Sequence, residues 1–435
     1  MVNISFLGGC REVGRSAILI ESKSGSKCIL DYGVRFNNDN RLPYNGNIDN
    51  LKAIALSHCH IDHSGGLPYL YKKFEVPLFT NSITLRISEI LLKDMIKISN
   101  YPYPFGFREL EKLRRNAIFL DNGIKQKIDE NFYITFYDAG HIPGSVSILI
   151  EVDQKRIFYT GDINTLSTNL VNSANTSNIP EVDALIIEST YALKEHPPRD
   201  ELERAFIDKI IDISEDGGKV LIPAFGVARS QEVLLILYKY NFKGEIFLDG
   251  LARKISSTYL NFPSFLRNSK TFKSALKRTN FVSKKNRKFI VNKPGGIVIS
   301  PSGMLKGGAA IDYIQRILHD PYSGIYMVGY QVEGTPGRTL LDEGIFIYKE
   351  NLKQNRLKNK NLSIKAECDF DYFDFSSHAD KEHLYGYIKD IKFQDNSKFM
   401  FCIHGEEKAT TNMAKDFSKM GYNSVAPETG ETYKI

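Results

Sequence analysis

The amino-acid sequence predicts an α/β protein with more than one domain. Short apolar runs rich in Ile and Val alternate with amphipathic helical stretches, a pattern typical of strands and helices packed in layers. At 435 residues the chain exceeds the usual size of one hydrophobic core, so two domains are expected. A hydrophobic content of 42% with 25% charged residues excludes a disordered or collagen-like chain.

The individual elements follow from the spacing of apolar residues. Strands are predicted at 27–30, 52–57, 132–137, 156–160, 184–187, 220–223, 297–300, 325–328 and 398–403. Helices are predicted at 67–74, 83–98, 199–213, 230–240 and 379–389. A Lys/Asn-rich tract near 351–361 is the one low-complexity segment.

Cysteine usage and hydropathy indicate the class of protein. The five cysteines form no CxxC pair and are odd in number, so reduced thiols are expected rather than a disulfide framework. No stretch reaches the roughly 20 apolar residues of a membrane helix, and the opening MVNISFLGGC lacks the features of a signal peptide. A cytoplasmic protein without a membrane span is therefore expected.

Positive charge is concentrated in one segment. The net charge is +6, and residues 264–293 contain ten Lys or Arg and no Asp or Glu. Such a cluster can bind phosphates, although the segment considered alone favours a solvated surface in a lysine-rich protein.

Acids and histidines recur just past the ends of the apolar strands. The loops that follow strands in open α/β sheets are where ligands and catalytic groups collect, because rigid strands hold exposed loops there. The residues in these positions are Asp31, His58, His141, Asp162, Glu188 and His404. A chance scatter would not repeat this placement.

The sharpest local motif is SHCHIDHSGG, between a predicted strand and a helix. It places His58, His60, Asp62 and His63 within six residues. Imidazole and carboxylate together suit zinc, and this spacing suits a turning loop that serves two neighbouring ions. A structural role would have to explain three histidines and an aspartate at once.

The other histidines fall into two groups. His141 in AGHIPGS, His378 in FSSHAD and His404 in CIHGE have Gly or Ser neighbours that let the backbone approach a metal or phosphate. Surface or packing positions are expected for His196, His319 and His383.

Taken together, these motifs resemble a known family. HxHxDH followed by GG, then AGHxxGS and YTGD, is similar to the metallo-β-lactamase superfamily, whose fold is an αββα sandwich with metals at one edge. IIESTY, DFSSHAD and CIHGE resemble the three additional motifs of its β-CASP nucleases. GGKVLIPAFGVARSQEVLLIL, ISPSGML and GYQVEGTPGR are similar to the endonuclease subunit of the cleavage and polyadenylation specificity factor and its archaeal relatives.

The resemblance implies a domain plan. The metallo-β-lactamase domain is expected at 1–191 and 377–435, with an inserted α/β β-CASP domain at 192–376 that closes over the metal edge. The opening ISFLGGCREVGRSA and the end at Ile435 resemble a short archaeal form without KH domains. SSHAD differs from the SGHA-type motif of bacterial RNase J, which counts against a purely 5′ exonucleolytic activity.

Ligand and catalytic roles are carried over position by position. The resemblance assigns His58, His60 and His141 to one zinc ion, Asp62, His63 and His404 to a second, and Asp162 as the bridge between them. Asp31 is expected to orient a ligand histidine. His378 and Glu188 complete a catalytic set with Asp62 and Asp162: His378 would protonate the leaving oxygen or stabilise the phosphate, and Glu188 would orient it. Alternatively, His378 merely caps the helix that begins near Ala379.

RNA contacts are predicted in the inserted domain. The turns 224–226 and 301–304 could offer backbone N–H groups to phosphates. The expected contacts are Arg229, Ser302, Arg338, Lys284 and Lys285, and domain packing is an equally simple role for the first three. Single-stranded RNA and a second copy of the chain are the expected partners.

The predicted function is a zinc-dependent ribonuclease with two zinc ions, cutting internally, from the 5′ end, or both, in RNA processing or decay. One alternative is a hydrolase of small esters, which would leave the insertion, Glu188 and His378 without a purpose. A second is a non-catalytic RNA-binding subunit, but such paralogues lose metal ligands and here every ligand position is filled.

Overall fold

The computed structural model describes residues 1–35, 41–99, 101–349, 361–394 and 398–435. Two compact units are present: unit 1 comprises Met1–Ser167, Val171–Glu195 and Ser377–Ile435, and unit 2 comprises Thr168–Leu170 and His196–Ser376. The functional boundaries at 192 and 376 stay our proposal. Most of the Lys/Asn-rich tract lies outside the described residues.

The first part of unit 1 is mostly strand. In chain order its elements are β1 (Asn3–Gly8), β2 (Ala17–Glu21), β3 (Lys27–Leu30), β4 (Leu51–Ala55), α1 (Ile61–Ser64), α2 (Leu67–Leu70), β5 (Leu78–Thr80), α3 (Ser82–Ile98), α4 (Phe107–Arg115), β6 (Ala117–Phe119), β7 (Gln126–Asp129), β8 (Phe132–Asp138), β9 (Val146–Val152), β10 (Lys155–Tyr159) and β11 (Ala184–Glu188).

Unit 2 alternates helices and strands. Its elements are α5 (Arg199–Glu215), β12 (Val220–Pro223), α6 (Arg229–Lys239), β13 (Ile246–Leu248), α7 (Leu251–Tyr259), α8 (Ser269–Lys277), β14 (Thr279–Phe281), α9 (Arg287–Asn292), β15 (Ile297–Ser300), α10 (Ile311–Leu318), β16 (Gly324–Met327), α11 (Pro336–Glu343), β17 (Ile345–Lys349), β18 (Asn361–Lys365) and β19 (Asp369–Tyr372). Short 3-10 turns occur at Pro263–Phe265 and Lys284–Asn286.

The chain then returns to unit 1 with α12 (Lys381–Asp390), β20 (Phe399–Ile403), α13 (Glu407–Lys419), β21 (Asn423–Val425) and β22 (Thr432–Lys434). These strands complete two seven-stranded sheets, in the orders β22-β1-β2-β3-β4-β5-β6 and β21-β20-β11-β10-β9-β8-β7. Among the described residues, no helix combines the length and apolar character needed to cross a membrane.

The two sheets of unit 1 pack face to face. One buried cluster joins Phe6 and Ile18 of the first sheet to Phe136, Ile148 and Ile186 of the second. Because each strand alternates its side chains between two faces, the opposite faces also need cover. Helices provide it on both sides, so the layers run helix, sheet, sheet, helix.

The outer layers follow from the apolar faces of the helices. Leu67 and Leu70 of α2 pack with Ile54 of β4, and Leu384 of α12 packs with Leu185 of β11. Strands buried on both faces read as nearly continuous apolar runs, such as ALIIE in β11, which is buried throughout. This explains why the strands were predictable from the sequence.

Unit 2 contains a six-stranded sheet in the order β14-β13-β15-β12-β16-β19. All its strand pairs are parallel, so the carboxyl ends of its strands share one edge. A separate antiparallel pair, β17 with β18, lies beside it in sequence and contributes Phe346 to the core of unit 2. The strands β12 and β15 have the predicted bounds.

Two helix predictions need correction. The helix predicted at 67–74 ends at Leu70, because the next residues form turns in which Tyr71 N and Lys73 N donate to carbonyls three positions back. The helix predicted at 379–389 begins only at Lys381, since the Asp380 side chain accepts from His383 N at 3.0 Å and caps it. His378 is therefore not the cap of this helix.

Candidate metal centre

The ligand-bearing strands of unit 1 end at a common edge. In the second sheet, β8 and β10 are both antiparallel to β9 and therefore run in the same direction, and β11 and β20 run parallel to β10. His141 follows β8, Asp162 follows β10 and His404 follows β20 directly. All three side chains are buried. Glu188, predicted just beyond its strand, is instead the last residue of β11.

The other ligand candidates lie between β4 and α1 of the first sheet. His58 and His60 occupy the loop after β4, and Asp62 and His63 lie in α1. Gly33 lets this segment pack closely, because a Cβ at that position would lie only 1.6 Å from the Asp62 carbonyl oxygen. A glycine is required for this approach.

Four of the candidates form a first cluster. His60 Nδ1 lies 3.1 Å from His58 Nε2 and 3.2 Å from His141 Nε2. Asp162 Oδ2 lies 3.4 Å from His58 Nε2 and 3.7 Å from His141 Nε2. The four ligand atoms therefore converge on one point.

The remaining three candidates form a second cluster around the other oxygen of Asp162. Asp162 Oδ1 lies 3.2 Å from His63 Nε2 and 3.6 Å from His404 Nε2. His404 Nε2 is also 3.7 Å from Asp62 Oδ2. Asp162 thus presents one carboxylate oxygen to each cluster, which is the arrangement of a bridging ligand.

The spacing and the hydrogen bonding of these atoms fit zinc. Ligands bound tetrahedrally at zinc–nitrogen distances of 2.0–2.1 Å lie about 3.4 Å from one another. The separations quoted above bracket that value. His63 Nε2 and Asp162 Oδ1 are buried and make no hydrogen bond within the described part of the chain. Because unsatisfied buried polar atoms are costly, a cation held by these two residues would offset the cost.

Asp31 orients one side of the site. Its Oδ2 accepts from His63 Nδ1 at 2.7 Å, from Ser57 Oγ at 2.7 Å and from Tyr159 OH at 2.8 Å. Ser57 Oγ in turn lies 3.0 Å from His58 Nδ1 and can accept its proton. A histidine that gives its Nδ1 proton to such a partner keeps Nε2 free for a metal. The hydrogen bond between His63 Nδ1 and Asp31 Oδ2 is the contact that the predicted orienting role of Asp31 requires.

Two further histidines are held by other groups. His141 Nδ1 donates to the Ser377 carbonyl oxygen at 2.8 Å, and His404 Nδ1 lies 2.7 Å from Ser16 Oγ. Both therefore direct Nε2 toward the clusters. His60 is the exception, since it presents Nδ1.

The electrostatics favour ligand-competent histidines. Burial lowers the pKa of His58 and His141 well below the usual value and that of His60 to about 4. Neutral imidazole is the form that binds a metal. Burial also acts on His63, but the Asp162 and Asp31 carboxylates outweigh it and raise its pKa well above the usual value. A cation held by His63 and Asp162 would take the place of that proton.

His378 stands beside the first cluster without belonging to it. Its Nδ1 lies 3.0 Å and 3.1 Å from the two carboxylate oxygens of Glu188. Glu188 is fixed by Ile163 N, which donates to Oε1 at 2.8 Å. The ring centroids of His378 and His141 are 4.4 Å apart. Glu188 contacts Nδ1, and Nε2 is the other ring nitrogen of His378.

Comparisons with known proteins agree with this geometry. Residues 230–340 match the family profile described as Beta-Casp domain, and residues 363–427 match the Zn-dependent metallo-hydrolase RNA specificity domain. Residues 10–184 match the profile described as Anti-Pycsar protein Apyc1. Probable RNase MJ4 of Methanocaldococcus jannaschii is 36% identical, with 100% of both chains covered. The chain belongs to the β-CASP family.

Other members of the family are similar over nearly the whole chain. RNase aCSPSF2 of Saccharolobus solfataricus is 35% identical over 99% of this chain and 85% of its own. Transcription termination factor FttA of Pyrococcus abyssi is 31% identical over 100% of this chain and 71% of its own. These matches confirm the predicted resemblance to archaeal β-CASP nucleases.

A solved structure supports the fold alone. The crystal structure of a protein of unknown function from Enterococcus faecalis V583 superposes with a TM-score of 0.62 at 15% identity, covering 99% of each chain. Together with the profile matches and the layers of unit 1, this confirms the predicted sandwich with a β-CASP insertion. Membership of the family also confirms zinc-dependent hydrolase chemistry in outline, while the number of ions stays a prediction.

The predicted RNA contacts of this β-CASP protein occupy different surroundings. Lys284 and Lys285 are exposed. Arg338 is half exposed and pairs with Asp342 at 2.7 Å. Ser302 Oγ accepts from Lys306 N at 3.1 Å. Of these residues, the two lysines are the most accessible to a phosphate.

Arg229 differs from the other predicted contacts. It begins α6, and its Nε and Nη1 atoms are buried. Its position in the fold is therefore closer to domain packing than to a surface contact. An RNA role for this residue stays a prediction.

The residues that orient the ligands were largely missed by sequence reasoning. Only Asp31 was anticipated. The contacts of ligand histidines with Ser57, Ser16 and the Ser377 carbonyl were not, nor was the hydrogen bond from Tyr159 to Asp31. Ser57 is the first residue of the metal motif and directly precedes His58, and this adjacency was a usable signal. Ser16 lies 388 positions from His404 in the chain, so no local pattern could pair them.

Proposed function

We propose that this β-CASP protein hydrolyses RNA phosphodiester bonds with two zinc ions held by the seven clustered ligands. The coarser prediction, a metal-dependent ribonuclease, is confirmed by the family and by relatives that are named RNases. The observation that carries the proposal is the position of Asp162, whose two oxygens face two separate groups of ligands. A single-ion site would need only one of those groups.

Each part of the proposed site has a distinct task. The first ion would be held by His58, His60, His141 and Asp162, and the second by Asp62, His63, His404 and Asp162. When bound, two such ions activate water near neutral pH and stabilise charge on the oxygens around phosphorus. Asp62 is partly exposed, which leaves this side of the site open to substrate.

The protein groups then position and protonate. Hydrolysis adds water to phosphorus and breaks one P–O bond, and the leaving oxygen needs a proton. We assign this proton to His378 Nε2, because Nδ1 is engaged by Glu188. A positioned general acid of this kind contributes about 10²–10⁴-fold to the rate. Glu188 itself accepts from Ile163 N and positions His378.

The test uses purified protein and RNAs labelled at either end, carrying a 5′ triphosphate, monophosphate or hydroxyl. Zinc-dependent cleavage that disappears with chelator and returns with added zinc is expected. Two ions per chain by elemental analysis would support the two-ion proposal. Internal fragments from all three RNAs indicate an endonuclease, whereas mononucleotides from monophosphorylated ends indicate a 5′ exonuclease.

Two outcomes would contradict the proposal. Cleavage that persists in protein stripped of metal would remove the metal from the reaction. Hydrolysis of small esters with no action on RNA would favour the small-ester alternative. A homodimer in solution stays a prediction. Light scattering coupled to size-exclusion chromatography measures the molar mass that tests it.

A further inference from the structure

Exposed aromatic side chains mark one edge of the unit 2 sheet. Phe225 lies two residues beyond the end of β12, Tyr330 three residues beyond β16, and Phe281 is the last residue of β14. Their exposed fractions are 39%, 46% and 45%. Because every pair in this sheet is parallel, the three strand ends lie at the same edge.

Single exposed apolar residues are common on protein surfaces, so exposure by itself does not indicate a function. In open parallel sheets, the edge at the carboxyl ends of the strands is where ligands bind. The opposite edge offers a contrast in Tyr322, which precedes β16 and is 69% exposed. Position in the sheet, rather than exposure alone, therefore distinguishes the three aromatic residues.

Phe225 is held in place by its surroundings. Its carbonyl oxygen accepts from Ser230 N at 3.1 Å and from Ser230 Oγ at 2.7 Å, which fixes the backbone. A Cβ at Gly329 would lie 3.0 Å from Phe225 Cε2 and 3.2 Å from Cδ2, with no third ring atom within 4 Å. One edge of the ring thus rests on a glycine backbone, and its exposed part is presented outward.

A buried amide ties the supporting loops together. Gln331 is only 4% exposed, and its Nε2 donates to the carbonyl oxygens of Gly303 at 2.8 Å and Gly329 at 2.7 Å. These glycines follow β15 and β16, and both contact Phe225. A rigid support lowers the entropy cost of binding through the ring.

The charges nearby identify the ligand. Arg338 lies in α11, eight positions after Tyr330 in the chain, and is half exposed beside Asp342. Lys284 and Lys285 follow Phe281 in an exposed turn. Flat aromatic surfaces interleaved with cations are the means by which proteins hold single-stranded nucleic acid, because every base can stack and every phosphate is negative.

We propose that Phe225 and Tyr330 stack bases of single-stranded RNA at the carboxyl edge of the unit 2 sheet. Phe281, Lys284 and Lys285 bind the neighbouring nucleotides of the same strand. This rests on the proposed ribonuclease function and names the residues that bind its substrate. Adjacent strands lie about 4.8 Å apart, so β14 is roughly 14 Å from β12, a span of a few nucleotides.

The experiment measures binding of a fluorescent single-stranded RNA by anisotropy, in chelator so that the RNA stays intact. Phe225→Ala and Tyr330→Ala should each raise Kd by about tenfold. Phe225→Tyr should bind like the wild type, and Phe225→Leu should lose as much as alanine because it keeps apolar bulk without an aromatic face. Tyr322→Ala is the matched control and should leave Kd unchanged.

An abasic scan separates stacking from indirect effects. Removing the base that stacks on Phe225 should weaken binding of the RNA to the wild type. The Phe225→Ala variant already lacks this stacking, so it should bind the abasic RNA almost as well as the intact RNA. Equal Kd values for wild type, Phe225→Leu and Phe225→Ala overturn the proposal. A different oligomeric state in the alanine variants also overturns it, because weaker RNA binding would then not come from lost stacking. Wild-type protein that shows this aromatic-dependent binding in chelator but does not cut the same RNA after zinc is restored would count against the proposed function alone.

Discussion

Two sheet edges of this molecule use the same geometry for different chemistry. At the edge in unit 1, strand ends carry imidazoles and carboxylates, most of them buried, and four of the histidines have a hydrogen-bond partner at Nδ1. At the carboxyl edge in unit 2, strand ends carry glycines and exposed aromatic rings. Parallel strands bring distant residues to one edge in both cases, and only the side chains differ.

The contrast separates reaction from recognition. Bond cleavage needs charges fixed within a few tenths of an ångström, which burial and second partners such as Asp31 provide. Recognition of single-stranded RNA tolerates variation in sequence, so stacking surfaces and exposed lysines suffice. Variants at the first edge are therefore expected to change the chemical step, and variants at the second to change affinity.

The largest effect is expected at the shared ligand. Asp162→Asn removes the charge that faces both clusters, so zinc content should fall below two ions per chain and RNA cleavage by a thousandfold or more, since a metal supplies several kcal/mol of stabilisation. Elemental analysis and single-turnover cleavage measure the two effects. Asp138→Asn, which alters a carboxylate outside both clusters, is the control. Full activity in Asp162→Asn would rule out the bridge.

His378→Ala should come next and should affect only the chemical step. The variant is expected to keep its zinc but to cut RNA about a hundredfold more slowly, because the leaving oxygen loses its proton donor. With bis(p-nitrophenyl) phosphate, whose leaving group needs no proton, the loss should be much smaller. An equal loss on both substrates would contradict the role of general acid.

Asp31→Asn tests the residue that hydrogen-bonds the ligand candidate His63. The change weakens the acceptor for His63 Nδ1, and we expect zinc affinity to fall about 10–100-fold, measured by competition with a chelator of known affinity. Tyr159→Phe removes a different donor to Asp31 and leaves the contact between His63 and Asp31 in place. Its affinity should change less. The same zinc affinity in Asp31→Asn and the wild type would refute the orienting role.

The smallest effect is expected in the basic stretch 264–293. Lys284→Ala with Lys285→Ala should lower the slope of log affinity for RNA against log salt by roughly 1.4, or 0.7 for each lost phosphate contact. Lys408→Ala with Lys415→Ala matches the change in charge on exposed positions of α13 and should leave the slope unchanged. An equal change in both pairs would mean that net charge alone matters.

The same stretch contains cations with a structural task. Arg287 Nε donates to Asp249 Oδ2 at 2.6 Å, and Asp249 is buried. Asp249 also accepts from Tyr313 OH at 2.7 Å. Removing Arg287 would leave this carboxylate short of its counter-charge, so Arg287 holds the domain together rather than guiding RNA. Composition alone could not separate Arg287 from Lys284.

The sequence by itself determined the fold class, the positions of nine of the 22 strands in the described residues and the identity of the metal-ligand candidates. This was possible because buried parallel strands read as continuous apolar runs, and because His58, His60, Asp62 and His63 are neighbours in one motif. Motif resemblance extended the set to His141, Asp162 and His404. Local patterns carry this information, so no contact between distant residues had to be known.

Only the tertiary structure decided which groups meet across the chain. The two-sided approach to Asp162, the pairing of Ser16 with His404 and the glycine support beneath Phe225 all join residues brought together by sheet order. Helix ends were also decided there, since the Asp380 cap rather than the apolar period set the start of α12. Such contacts depend on the register and crossover of strands, which a one-dimensional pattern does not specify.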